Sequence, residues 1–167
     1  IACCEEGHFL VAGILLGAGS DVRSVNDDGD DALYAACKHG HSHCAELLLS
    51  AGADPDHVPP ERVKMEATPL MISVRNGHVS CVRVLLESGA SPDALALDES
   101  TALHFAVRMG CHDACLLLLR AGASVRLRDE NGSTAFCLAS RKLQRARLRA
   151  ADRARIVRRQ LRRHQTL

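Results

Sequence analysis

Aromatic residues are almost missing from this chain of 167 residues: three Phe, one Tyr and no Trp make up 2% of it. A globular core of this size usually leans on larger side chains, so thin layers of small aliphatic residues are the expectation. The Val/Ile/Thr alternation of strands is lacking too, which points to helices. No run of 18 apolar residues occurs, so nothing reads as a membrane span, and the start has no basic segment followed by an apolar run and a cleavage site. That start, IACCEEGHF, also lacks a Met and joins the pattern below midway, as a piece of a longer polypeptide does. Catalytic signatures are lacking as well. No Gly-rich loop follows a strand as at a phosphate or dinucleotide site, and there is no nucleophile elbow or paired-carboxylate signature. The acidic DDGDD at 27–31 lacks the spacing and terminal Glu of a calcium loop. The chain reads as noncatalytic, with no cofactor expected.

What the chain does have is a period. Gly7, Gly40, Gly77 and Gly110 recur at intervals of 33, 37 and 33, each followed by His or, once, by Cys111. Gly19, Gly52, Gly89 and Gly122 keep those intervals, as do DALYAA at 31, TPLMIS at 68, TALHFA at 101 and TAFCLA at 134. Three landmarks moving together define a repeated unit. Within it, Thr68 or Thr101 caps a first helix, and Pro69 stands where a missing N–H costs nothing. Leu70, Val74, Leu103 and Val107 supply that helix's short apolar face, and the Gly of Gly-His closes it with positive φ. The second helix, read in CAELLLSA, CVRVLLES and DACLLLLRA, has a Leu run too continuous for solvent. A pair this short cannot bury its own apolar side. It needs a neighbour on each side, so the units stack around one thin, continuous core.

On these residues, the Thr-Pro-Leu opening, the Gly-His junction, the Leu-rich second helix and the Gly-Ala exit, the chain resembles the ankyrin-repeat family from residue 1 to about 140, most strongly over 26–128. The resemblance implies an all-α ankyrin-repeat solenoid with short projecting hairpin turns and a basic C-terminal helical cap. Residues 1–150 are then the repeat domain, and 151–167 an Arg-rich helical tail. The units are a truncated first one (1–25), then 26–57, roughly 63–95 and 96–128, and a degenerate last one from 129. HVPPERVKME absorbs four extra residues and is expected to bulge between the second and third units. Departures from the family are plain: only Pro69 keeps the opening Pro, and Tyr34, Met71 and Cys137 replace its His. Only Asn131-Gly132 and Asp28-Gly29 preserve recognisable hairpin tips.

Most members of that family bind other proteins, through the turn tips and the outward side of each first helix. Carried onto this sequence, the contacts start at Glu5, Glu6, Asp27, Asp28, Asp30, Lys38 and His39. They continue through Lys64, Met65, Arg75 and Asn76 to Leu97, Asp98, Ser100, Arg108 and Met109, and end at Glu130, Asn131, Ser133, Arg141 and Lys142. The strip is acidic in its first third, apolar in places along its middle (Met65, Leu97, Met109) and basic at its end. It could orient an extended segment or helix of a partner; the bland alternative is a solvated face that keeps the protein soluble. The expected function is a noncatalytic protein–protein interaction scaffold for a protein or peptide, with no homo-oligomer expected. Cys-containing second helices followed by SPD or DPD are also similar to the ankyrin portions of substrate-recruiting ubiquitin-ligase adaptors. Such adaptors continue into a cullin-linking box, whose Leu/Cys/Pro pattern the Arg-rich tail lacks. A spacer between neighbouring domains is a third reading.

Eight cysteines would suit a disulfide framework in a secreted chain. Here Cys44 matches Cys81 and Cys4 matches Cys37, which reads as small buried hydrophobes in a reducing compartment, cytoplasmic and/or nuclear. CKHGHSHC, at 37–44, holds enough thiols and imidazoles for zinc. Gathering them round one ion would dismantle the packing that the repeat assigns to them, so no metal is expected. His104 falls where the family hydrogen-bonds between turn and helix, and His8, His41 and His78 share the junction between units.

The end of the chain changes character. From Ser140 to Leu167 there are ten Arg and one Lys against a single acid, Asp152, so a near-neutral total of +1 conceals a tail of about +10. The tail contains no Pro or Gly, and Leu148, Ala151, Ala154, Val157 and Leu161 form a helical stripe. Residues up to about Ala151 are expected to cap the stack. Arg153, Arg155, Arg158, Arg159, Arg162 and Arg163 either only solvate that cap, meet an acidic partner, or contact nucleic acid or chromatin or act as a nuclear-import signal. Without bulky aromatics such a helix is a weak membrane anchor.

Overall fold

The computed structural model describes residues 1–58 and 67–144. Its helices alternate along the chain: α1 (Ala2–Glu5), α2 (Phe9–Gly17), α3 (Ala32–His39), α4 (Ser42–Ser50), α5 (Pro69–Asn76), α6 (Val79–Glu87), α7 (Ala102–Met109) and α8 (His112–Arg120). A further helix, α9, covers residues 135–144. Among the described residues no strand forms; isolated bridges join Val25 to Asp31 and Arg128 to Thr134 across the hairpin turns.

The first helices α3, α5 and α7 start on side-chain caps, whereas α1 follows Ile1 without one. Asp31 accepts from the Tyr34 N–H at 2.6 Å, and Thr68 from the Met71 N–H at 3.3 Å, with Pro69 following at the first helical position. Thr101 and His104 form a capping box at the start of α7. Each of α3, α5 and α7 then ends after eight residues at a left-handed Gly. At α9 Leu143 and Gln144 stand in place of Gly-His, and both are helical.

First helices pack on first helices (α1 on α3, α3 on α5, α5 on α7) and second on second (α2 on α4, α4 on α6, α6 on α8). Register dictates what meets at these seams. Leu33, Leu70 and Leu103 are buried from one row, Leu48, Leu85 and Leu118 from the other, with Ala36, Cys37, Ala45, Ala106 and Ala114 between them. Each such Leu contributes about 2 kcal/mol, and the small residues let helices of two turns approach closely. The expected all-α stack of helix pairs is thus the architecture found. The bulge expected in HVPPERVKME lies mostly outside the described residues, as do Lys64, Met65 and the tail from Arg145, including Arg153, Arg155, Arg158, Arg159, Arg162 and Arg163.

Candidate interaction face

The hairpin tips and the last turns of the first helices form one face, and a recurring brace holds it. Lys38 Nζ donates to Asp30 at 2.9 Å, Arg108 donates to the Ser100 hydroxyl, and Arg141 donates to the Ser133 hydroxyl at 3.2 Å. The separation is eight residues each time, the length of the first helix, so a basic side chain in the last turn lies back along the helix to the foot of its own hairpin. Ala67 occupies this place before α5 and has no side-chain oxygen to offer Arg75.

This geometry corrects the sequence reading at three positions. Asp30, Ser100 and Ser133 were expected to point outward, yet all three are buried. A carboxylate or hydroxyl at the foot of the hairpin is turned inward by the cation eight residues on.

Arg108 does more than brace its own unit. It also reaches Asp98 and, in the next hairpin, Asp129, each at 3.3 Å, and its guanidinium lies 5.4 Å from the Phe105 ring centroid. The Glu130 N–H donates to the Asp98 carbonyl at 2.9 Å, joining the two tips through backbone. Burial acts to raise Asp98, but hydrogen bonds from the Ser100 N–H and hydroxyl and from Arg108 outweigh it and hold the carboxyl below its usual range. Asp129 is lowered in the same way, against burial, by the Ser133 and Asn131 N–H groups and by Arg108.

The remaining expected contacts divide into two groups. Glu5 is half-buried, since its carboxylate accepts from Asn26 at 2.7 Å; Asn76 is exposed but donates to the Lys38 carbonyl at 2.8 Å, and Lys142 donates to the Arg108 carbonyl at 3.2 Å. These side chains tie units together as well as facing outward. Glu6, Asp27, Asp28, His39, Arg75, Glu130, Asn131 and Arg141 are exposed, Lys38 and Asp98 half-buried, and Leu97 and Met109 project large apolar groups at 56% and 53% exposure.

The junction histidines act between units. His41 Nε2 bonds the Glu5 carbonyl at 2.7 Å, and His78 Nε2 bonds the Lys38 carbonyl at 3.2 Å. CKHGHSHC is thereby dispersed: Cys37 interacts with Cys81 and Cys44 with Cys4, while His41 turns to α1. The described residues contain no group of three or more His, Cys, Asp or Glu side chains able to hold a metal ion. No helix among them is long and apolar enough to cross a membrane.

A model of ankyrin repeats in three copies matches residues 1–96, and a model of a single ankyrin repeat matches 98–130. The chain belongs to the ankyrin-repeat family. No curated protein is matched by it. Ankyrin repeats are generally noncatalytic modules of protein–protein interaction.

Two features of this ankyrin stack were missed in the sequence. Asp56 accepts from the Ser91 N–H at 3.1 and 3.0 Å, and Asp93 from the Ser124 N–H at 2.8 Å, so the Asp that ends DPD and SPD clips each unit to the next. Its recurrence at one register position was the available signal. The second is Leu95, exposed beside the hairpin that carries Leu97; nothing in a Leu between two Ala residues marks it as outward-facing.

Proposed function

We propose that this ankyrin stack is a noncatalytic scaffold that binds a protein segment along the face made by its hairpin tips and first-helix ends. The observation that carries the reading is the bracing of Arg108 across Asp98, Ser100 and Asp129, beside exposed Leu97 and Met109. Charged groups that would otherwise demand water are paired within the scaffold, which leaves two apolar side chains on a prepaid, rigid support. Binding then costs little backbone ordering. The partner best matched is an extended or helical peptide with apolar side chains at its centre, basic toward Asp27 and Asp28 and acidic toward Arg141 and Lys142.

Selection of random peptides on the folded chain tests this. Peptides so obtained are expected to lose at least tenfold in affinity to the Leu97→Asp and Met109→Asp variants, and nothing to Arg83→Glu, which changes an exposed side chain on α6. Equal losses at all three, or loss only at Arg83, would remove the face from the proposal.

The charge of the tail favours a second reading, contact with an acidic protein or with nucleic acid. Binding of duplex DNA that falls steeply with salt and vanishes on removal of residues 153–167 supports it. Adaptor function in a ubiquitin-ligase assembly calls for a cullin-linking segment, and cullin capture by the chain is its direct test.

A further inference from the structure

The α1/α2 end of the stack is not built as an end. Terminal units of a repeat array require a polar outer face, yet α2 reads FLVAGILLG, without one polar side chain. Comparison along the register shows which of these residues lack a neighbour. Val11 is 48% exposed where Cys44, Cys81 and Ala114 stand at 1%, 0% and 0% in the later units. Leu15 is 44% exposed where Leu48, Leu85 and Leu118 are buried, and Ile14 is 72% exposed where Leu47, Val84 and Leu117 are half-buried. In α4, α6 and α8 these places belong to seams between successive second helices.

An independent observation comes from the junction. His41 and His78 each bond a carbonyl in the last turn of the preceding first helix. His8 holds the same register place, is exposed, and among the described residues its ring makes no hydrogen bond. Side-chain packing on α2 and a hydrogen-bonding ring at the junction both face the same missing neighbour, and both are satisfied elsewhere by one kind of element. We infer that the α1/α2 face is an interface for one more ankyrin-type helix pair joined ahead of Ile1, with its second helix packed on Val11, Ile14 and Leu15 and a first-helix carbonyl bonded by His8.

The chain contains the means to test this. A copy of residues 96–136 joined ahead of Ile1 places Ile1 in the register of Cys137, offering the copied Leu119 and Cys115 to α2 and the copied Arg108 carbonyl to His8. The extended protein is expected to unfold in one transition, with its midpoint raised by more than about 4 °C, with hydrogen exchange over residues 9–17 slowed at least tenfold and apolar-dye binding reduced. Leu15→Glu is expected to abolish the gain and His8→Ala to reduce it, both leaving the midpoint of the 167-residue chain within about 1 °C. A separate transition for the added unit with unchanged exchange in α2 overturns the inference. So does a 167-residue chain that sediments as a dimer and becomes monomeric on Leu15→Glu, which assigns the face to a second copy, and so does failure of that chain to bind the dye at all, which means the face is already covered from within.

Discussion

The His104 ring joins two units: Nε2–H donates to the Ser133 carbonyl at 3.1 Å, while Nδ1 accepts from the Thr101 N–H at 3.2 Å and meets the Thr101 hydroxyl at 2.9 Å. An Nδ1 that accepts from a backbone N–H carries no proton, so the ring is neutral with its hydrogen on Nε2. Fully buried, it caps α7 and ties that helix to the next hairpin at once. His104→Ala removes both bonds and leaves a cavity, and is expected to destabilise the chain by about 2–4 kcal/mol. Urea unfolding followed by circular dichroism measures it; a cost below about 0.5 kcal/mol would mean that the two bonds are replaced by water.

Arg108→Met keeps the stem over Phe105 but removes the links to Asp98, Ser100 and Asp129. The Arg108 and Asp98 side chains are each 33% exposed, so the expected cost is about 1 kcal/mol rather than the value of a buried pair. The loss should be local: hydrogen exchange of the Glu130 N–H, which bonds the Asp98 carbonyl, is expected to quicken while that of α4 stays the same. Uniform quickening along the chain would show that Arg108 does not act as a brace between hairpins.

The fold was legible because it is periodic. Gly40, Gly77 and Gly110 end helices of eight residues, and Thr68 and Thr101 begin them, where their chemistry says they must. The face was legible only in part. Sequence register places Asp30, Ser100 and Arg108 on the same outward strip, but whether a side chain meets solvent or its neighbour depends on a pairing across eight residues, and the hydropathy pattern holds no sign of that pairing. Polar residues at hairpin feet look alike whether they bind a partner or a lysine. The open α2 face carried a clearer signal, a helix with no polar residue.

Gly40 and Gly52 both have positive φ, +83° and +91°, but only one is crowded. A Cβ at Gly40 would stand 2.6 Å from His78 Nδ1, whereas nothing lies within 4 Å of one at Gly52. Gly52→Ala therefore costs the left-handed backbone alone, about 1 kcal/mol. Gly40→Ala must also move the ring that bonds the Lys38 carbonyl, so its cost is expected to be about twice as large. Melting both variants beside Gly40→Ala/His78→Ala separates the contributions: with the ring gone, the Gly40 substitution should cost no more than the one at Gly52.

Cysteine reactivity should follow exposure along the row of first helices. Cys137 is exposed, and the Thr134 hydroxyl and N–H lower its thiol, with help from Arg128 and Arg141. Burial pushes Cys4 up to about 12, and the hydrogen bond to Cys81, with burial, raises Cys37 well above its usual value. Iodoacetamide at pH 7.5 is expected to label Cys137 first and Cys37 last, since the thiolate is the nucleophile. Mass spectrometry of timed samples gives the order, and early labelling of Cys37 would contradict the burial of that seam.

Acid stability turns on the two hairpin carboxylates. Asp98 and Asp129 are held below their ordinary value in the folded chain, so the stability they contribute is complete above the unfolded value near 3.9 and is lost as pH falls through their lower folded values. Asp31 has the opposite sign. Burial raises it, so protonation relieves a cost as pH falls and offsets part of the loss. The urea midpoint of the chain is therefore expected to drop as pH falls below about 4, with the drop shallower in Asp98→Asn/Asp129→Asn and steeper in Asp31→Asn, which loses the offset. Since Arg108 stays charged throughout, the effect of Arg108→Met should also shrink as the carboxylates are neutralised. A double Asn variant with the wild-type pH profile would place the acid sensitivity elsewhere in the chain.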